Sequence, residues 1–321
     1  MTATVHFGGP DRSLGALRDL LEARVDAVPE GGAIDWMTYY FRDSRLAEAL
    51  ARAHRRGVAV RICVEGRPRH RGANDAVIAL LKREVGDGLR VEHRLFGASH
   101  LHSNLYAFSG PVRHALVGSF NPSGNQPEDA NLIADIGDQD RGHNLLVELD
   151  DPAAVDALVD HARFRTRLDG PQLFSFPRGF ANPLDRRLEV LGRGARLRIA
   201  ASHFRSRSMT RTLERLAVRG VAIEVLTHHT RRRTPDSVLS ALRSKGIRTL
   251  RYDHPDALPM HAKFILAERN GERWAAFGSY NLTNTSRWLN QELLAFSTDA
   301  EIWSALDRRW TDMTAEPWCS E

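Results

Sequence analysis

His261 and Lys263 stand two positions apart in His261-Ala262-Lys263-Phe264-Ile265-Leu266-Ala267-Glu268, a segment in which polar and apolar residues alternate at its start. On a β-strand, residues i and i+2 project to the same face, so an imidazole and an ammonium group are brought side by side. The next apolar run, Trp274 to Phe277, ends in Gly278-Ser279-Tyr280-Asn281, which offers a hydroxyl and a carboxamide. A base, a fixed cation and neutral hydrogen-bonding groups suit a phosphate ester. Only Lys82, Lys245 and Lys263 are lysines, which makes this lysine the more informative.

The elements that must carry these residues recur along the chain. In the first half, a helix with Leu14, Leu17, Leu20, Leu21 and Val25 on one face is followed by a strand, Ile34 to Phe41. A helix from Ser44 to Arg56 comes next, with Asp43 or Ser44 as its cap and Gly57 past its end, and then a strand, Val58 to Val64. Leu197 to Phe204, Met209 to Arg219 and Val221 to Leu226 repeat this pattern. Phe41 matches Phe204, and Arg56-Gly57-Val58 matches Arg219-Gly220-Val221, at one constant offset. Helices at Ala73 to Val85 and Pro235 to Lys245, then strands at Leu89 to Leu95 and Ile247 to Tyr252, continue the repeat. So long a period indicates a duplicated domain. The alternation predicts an α/β fold of two pseudo-symmetric lobes, each a mixed, largely parallel sheet flanked by helices. The expected boundaries are 1–169 for the first lobe, 170–183 for a Pro/Gly-rich linker, and 184–321 for the second lobe.

The repeat predicts a twin for the opening segment. His102-Ser103-Asn104-Leu105-Tyr106-Ala107-Phe108-Ser109 aligns with His261 to Glu268, and Gly118-Ser119-Phe120-Asn121 aligns with Gly278 to Asn281. Superposing the apolar pairs that follow sets Asn144 against Glu292. Lys263, Glu268 and Glu292 therefore have Asn104, Ser109 and Asn144 as counterparts.

With these residues the sequence resembles the phospholipase D superfamily, whose signature is His-x-Lys-x4-Asp followed by Gly-Ser-x-Asn, usually twice per chain. The resemblance covers nearly the whole chain. It implies a bilobed fold with one active site at the pseudo-twofold interface, with phosphodiester hydrolysis or phosphatidyl transfer through a phosphohistidine. The second motif departs by carrying Glu268 in place of Asp. The first lacks both lysine and acid. The segment Gln126 to Arg141, acidic and Gly/Asp-rich, is an insertion that could border the site.

A phosphodiester's negative charge repels nucleophiles, so its nonbridging oxygens must be neutralised. Lys263 is expected to supply the charge; Asn121, Asn281, Ser119, Ser279 and Asn104 supply neutral hydrogen bonds. One of His102 and His261 would attack phosphorus, and the other would serve as acid and base. Glu292 would hold a ring N–H of one histidine and raise its basicity, and Asn144 would orient a histidine without that effect. Family order favours His102 as nucleophile, while the fuller set of motif partners favours His261; the choice stays open. Glu268 would support the site or serve a surface ion pair. No cofactor or metal ion is expected, and the remaining histidines lack ligand spacing.

The wider composition limits the partners. The 321 residues are 42% hydrophobic and 26% charged, ordinary for a globular protein, with a formal net charge of +5. Cys63 and Cys319 suggest no disulfide framework. No apolar run is long enough to span a bilayer, and Met1 to Asp11 lacks the order of a signal peptide, so a cytoplasmic location is expected. Two arginine-rich loops, Arg67 to Arg71 and Arg231 to Arg233, follow corresponding strands and would border a ligand crevice. Tyr39, Tyr40 and Trp288 could line its mouth. A phospholipid head group is favoured over nucleic acid as substrate, with peripheral contact to an anionic membrane as a further expectation. The alternatives are a metal-independent nuclease, a transferase acting on a soluble metabolite, and a non-catalytic binder of phosphate ligands. A duplicated chain can complete the site as a monomer.

Overall fold

The structure, a computed structural model, describes residues 4–93, 99–123, 136–177 and 182–321. The first lobe comprises β1 (Thr4–Gly8), α1 (Ala16–Asp26), β2 (Ala33–Thr38), α2 (Ser44–Arg55), β3 (Ala59–Glu65), α3 (Asp75–Glu84), β4 (Leu89–Glu92), β5 (Leu105–Ser109), β6 (Arg113–Gly118), β7 (Asn144–Leu149) and α4 (Pro152–Ala162). The second comprises β8 (Leu173–Phe176), α5 (Pro183–Glu189), β9 (Arg196–Ala201), α6 (Arg207–Val218), β10 (Ala222–His228), α7 (Asp236–Arg243), β11 (Arg248–Tyr252), β12 (Lys263–Arg269), β13 (Glu272–Gly278), α8 (Asn284–Trp288), β14 (Glu292–Ser297), α9 (Ala300–Ala315) and β15 (Cys319–Ser320). Helix starts follow the capping logic of the sequence: Asp43 accepts from Leu46 N–H at α2, and Ser206 accepts from Met209 N–H at α6.

Among the described residues, one sheet runs β1-β7-β6-β5-β2-β3-β4 and the other β15-β11-β10-β9-β12-β13-β14-β8. Both sheets are mixed. Parallel pairing joins β2, β3 and β4 in one lobe and β9, β10 and β11 in the other. The remaining ladders are antiparallel, which corrects the expectation of largely parallel sheets. The reason lies in short connections: β5 to β6 and β12 to β13 are joined by tight turns, whereas a parallel pair needs a crossover. The stretch read as a linker is also more than that. It contains β8, which pairs antiparallel with β14 at the edge of the second sheet.

Alternating strand residues divide between layers. Leu105 and Ala107 join a core shared by the two sheets with α4 and α9, while Tyr106 and Phe108 pack under α1, α2 and α3. In β12, Phe264 and Leu266 face the shared core, and Ile265 and Ala267 face the layer beneath α6 and α7. The two sheets thus lie back to back across one apolar layer. The segments leading into β5 and β12 each bridge to the opposite lobe, Leu101 to Gln291 and Met260 to His143.

Candidate active site

Each motif histidine sits just before a strand of its own lobe, and its backbone is held by the other lobe. Gln291 N–H donates to His100 C=O at 2.9 Å, and His102 N–H donates to Gln291 C=O at 2.8 Å. Equivalently, His143 N–H donates to Pro259 C=O and His261 N–H to His143 C=O, both at 2.9 Å. Since Gln291 precedes Glu292 and His143 precedes Asn144, these bonds set each histidine beside the opposite lobe's partner. His102 Nδ1 lies 2.9 Å from Glu292 Oε2, and His261 Nδ1 lies 2.9 Å from Asn144 Oδ1.

The donors behind these pairs fix a tautomer. Leu145 N–H donates to Ser119 Oγ at 3.1 Å, so the Ser119 hydroxyl proton is free to go to Asn144 Oδ1, also at 3.1 Å. Asn144 Nδ2 donates to Gln139 C=O at 3.1 Å, which leaves Oδ1 as the acceptor for His261 Nδ1–H. His261 Nε2 then carries the lone pair. On the other side Leu293 N–H donates to Ser279 Oγ at 3.0 Å, and Ser279 Oγ donates to Glu292 Oε2 at 2.6 Å. Asn290 Nδ2 donates to Glu292 Oε1 at 3.2 Å. A carboxylate accepts only, so His102 Nδ1 donates and its Nε2 is likewise free.

This arrangement explains the Gly-Ser pair. Ser119 and Ser279 N–H donate to Leu145 and Leu293 C=O, and a Cβ on Gly118 or Gly278 would collide with those same carbonyl oxygens. The serines are fully buried and serve the histidines' partners; they do not line the cavity, which corrects their expected place at the substrate. Asn144 lies behind His261, where its Oδ1 accepts from the ring Nδ1–H and orients it, and not at the substrate. Glu292 lies behind His102 and acts through it. Of the two readings of Glu268, the structure shows the surface ion pair and not site support. Glu268 sits five residues along β12 from Lys263, a strand length of roughly 17 Å, and pairs with Arg273 at 2.8 Å. Asn104 is buried behind the cavity; its Oδ1 accepts from Thr38 Oγ1 at 3.4 Å, and its Nδ2 has no partner among the described residues.

Both histidines open into one cavity of about 570 Å³ between the lobes. Asn121 and Asn281 line it. Asn121 Oδ1 accepts from Tyr40 N–H at 3.3 Å, leaving its amide nitrogen for a ligand. Lys263 is buried behind His261 and is not itself a lining residue; its Nζ donates to His261 C=O at 2.9 Å and lies 3.0 Å from His261 Nε2. Tyr39 and Tyr40 line the cavity as well, and the Tyr39 ring packs 4.8 Å from that of His102. Of the two arginine loops, Arg69, Arg232 and Arg233 reach the cavity, whereas Arg231 is exposed and pairs with Asp236. Trp288 does not line it; it is exposed at the end of α8, beside lining residues Thr285 and Ser286. Of the inserted segment, residues 126–135 lie outside the described residues, and Ile136 and Gln139 line the cavity.

Among the described residues, the lining contains no carboxylate. Burial, then the charge on Lys263, then that on Arg233, hold His261 well below its ordinary pKa. Burial likewise pushes Lys263 down; Glu292 opposes the shift and Arg233 adds to it. Burial and mutual repulsion disfavour simultaneous protonation of His261 and Lys263, and a bound anion would relieve that cost.

The sequence matches the family model described as cardiolipin synthase, PLD-like domain, over residues 31–135 and 192–313. The chain belongs to this phospholipase D-like family. A Danio rerio protein described as mitochondrial cardiolipin hydrolase is 30% identical over 145 residues, covering 45% of this chain and 62% of the relative. The chain thus spans less than two thirds of that relative's length. Phosphatidylserine synthase from Haemophilus influenzae superposes with a TM-score of 0.70 at 9% identity, over 98% of this chain and 87% of that one. Polyphosphate kinase from Porphyromonas gingivalis gives 0.65 at 13% identity, over 97% and 49%. At these identities the structural likeness concerns the fold.

Within this phospholipase D-like fold, His203 is a cavity residue that the motifs do not mark. It follows β9, and its ring Nδ1 is 3.2 Å from Ser202 Oγ. Burial, then Arg233 and Lys263, push its pKa well down. The repeat held the signal: His203 precedes Phe204 as Tyr40 precedes Phe41, and Tyr40 also lines the cavity. His100 was not marked either. It lines the cavity, and burial followed by the neighbouring His102 lowers its pKa.

Proposed function

We propose that this chain cleaves or exchanges phosphodiesters by a phospholipase D-type mechanism, through a phosphohistidine at the interface of the two lobes. The observation that carries the reading is the crossed pairing. Two imidazoles share one cavity free of lining carboxylates among the described residues, each with Nδ1 tied to the opposite lobe, and His261 Nε2 lies 3.0 Å from Lys263 Nζ.

The unequal partners support unequal roles. His102 attacks phosphorus through Nε2, because Glu292 stabilises the positive charge that forms on its ring as the N–P bond is made. This favours His102 over His261, since the carboxylate of the second lobe serves the first lobe's histidine. His261, protonated once the substrate's charge is present, donates its Nε2 proton to the leaving alkoxide. An anion ~4 Å from an imidazolium contributes about 4 kcal/mol at an effective dielectric constant of ~20. In the second half, His261 takes a proton from water or an alcohol, the oxygen attacks phosphorus, and the N–P bond to His102 breaks. Lys263 neutralises a nonbridging oxygen throughout, and the amides of Asn121 and Asn281 hydrogen-bond to the phosphate.

A phospholipid head group is the favoured substrate. The family description and the relative's name point to cardiolipin. Exposed Trp288 and Leu289 beside the lining of α8, with exposed Arg69 and Arg205 at the cavity, suit an aromatic and basic contact with an anionic membrane surface. Anionic liposomes, phosphatidylcholine liposomes and single-stranded DNA assayed side by side test the substrate; cleavage of DNA alone would replace the lipid reading with the nuclease one. Acid-free trapping and mass spectrometry should map a phosphoryl group to His102. Full turnover by His102→Ala would refute the two-histidine mechanism, and EDTA should leave the rate unchanged.

A further inference from the structure

A phosphodiester presents two nonbridging oxygens, and a duplicated His-x-Lys site would meet them with a cation from each lobe. Here the first lobe offers Asn104 instead. A neutral amide forms a hydrogen bond roughly half as strong as a charged donor does. Some other group must therefore match the charge that builds on the second oxygen.

We infer that Arg233, from the second lobe, takes the place of the missing first-lobe lysine as the second phosphate-binding cation. Arg233 is 5% exposed and lines the cavity with His203 and His261. Its backbone is fixed on two sides: Arg233 N–H donates to Thr230 C=O at 2.9 Å, and Phe204 N–H donates to Arg233 C=O at 3.1 Å. Arg251 clamps the same loop from β11, donating to His229 C=O at 2.6 Å and Thr234 C=O at 2.9 Å. A guanidinium on so braced a loop is preorganised, so little reorganisation is needed when phosphate arrives. Its charge opposes protonation of His203, His261 and Lys263, which puts it within electrostatic reach of the reacting groups.

The neighbouring arginines lack this combination. Arg69 and Arg205 line the cavity but are exposed, Arg232 lines it but is only half-buried, and Arg231 is outside it. The pseudo-symmetric position in the first lobe, at the repeat's constant offset, is His70, which is exposed and does not line the cavity. The duplicated site has thus lost a cation from one lobe at Asn104 and holds an additional one on the other at Arg233. Both phosphate-neutralising charges then come from the second lobe. The first lobe contributes the proposed nucleophile, the Tyr39–Tyr40 pair and neutral amides.

The inference rests on the phosphodiesterase reading, and two measurements separate them. Inorganic phosphate binding, by isothermal titration, needs no turnover. Arg233→Gln should weaken it at least tenfold, and Arg231→Gln should leave it unchanged. Turnover of bis(4-nitrophenyl) phosphate should fall about a hundredfold in kcat/KM in Arg233→Gln. Adding Asn104→Lys to that variant should recover at least a tenth of the loss, because it restores the cation from the opposite lobe. A melting temperature matching wild type verifies folding, and Arg233→Lys, which retains the charge, covers a variant that fails to fold by retaining phosphate binding. Unchanged phosphate affinity in folded Arg233→Gln, or no gain from Asn104→Lys, overturns the role of Arg233. A wild-type chain that binds phosphate through Arg233 but turns over no diester overturns the catalytic reading and leaves the role of Arg233 standing.

Discussion

Glu292→Gln tests where positive charge develops during the reaction. In the folded chain Glu292 Oε2 accepts from Ser279 at 2.6 Å and from His102 Nδ1 at 2.9 Å, and Oε1 accepts from Asn290 at 3.2 Å. A glutamine oxygen can keep the first two bonds, as Asn144 does for Ser119 and His261. What it loses is the charge. Unit charges ~4 Å apart attract by about 4 kcal/mol at an effective dielectric constant of ~20. The exposed edge of the His102 ring reduces that, so a loss of about 2–3 kcal/mol in the transition state is expected, a fall of roughly 30- to 150-fold in kcat. KM should change little, because the charge on His102 appears only as the N–P bond forms. The glutamine amide would also face the Asn290 amide, donor against donor, so the melting temperature must be measured alongside. The assay is steady-state turnover of a chromogenic phosphodiester, with phosphohistidine recovery from quenched samples. If kcat stays within about threefold of wild type, His102 does not become cationic and His261 is the nucleophile.

Asn144→Asp makes the converse change: it should raise the pKa of His261 and move the alkaline limb of the kcat/KM profile, where the general acid loses its proton, to higher pH. Stability should rise between about pH 5 and 6.5, because burial holds His203, His228 and His261 neutral in the fold while unfolded imidazoles take up protons below ~6.5. Asp140 opposes that slope: burial, then the nearby Asp43, push it up to about 7, so the folded state holds a proton the unfolded chain lacks, and Asp140→Asn should steepen the rise in urea midpoints across that window. Gly118→Ala and Gly278→Ala should each cost about 1–3 kcal/mol in urea unfolding and most of the activity, because the new methyl meets a carbonyl that holds the serine of the motif. Glu268→Ala should cost under ~1 kcal/mol and leave turnover intact, since its partner Arg273 is half exposed and the pair spans the far ends of β12 and β13; a large loss of turnover would return Glu268 to the site.

The sequence made legible what one strand or one helix can encode. The 3.6-residue and two-residue periods marked the helices and strands, and the repeat of Arg-Gly-Val and Gly-Ser-x-Asn marked the duplication. Sheet direction was legible only in part, because the short turns after β5 and β12, which exclude parallel pairing, weigh less to the eye than the βα units before them. The role of the serines, and which histidine Glu292 serves, were hidden for a different reason. An alignment of the halves pairs each residue with its counterpart, but a site on a pseudo-twofold axis is made by residues that are not counterparts. His102 meets Glu292, and His261 meets Asn144, through backbone bonds from Gln291 and His143 that cross between lobes. That crossing gives the degeneracy of the first motif its meaning. Losing a lysine at position 104 leaves untouched the carboxylate that serves the first lobe's own histidine, since that carboxylate belongs to the other lobe. A half-site can thus lose its signature while its histidine retains full support, provided that the opposite lobe supplies the missing charge.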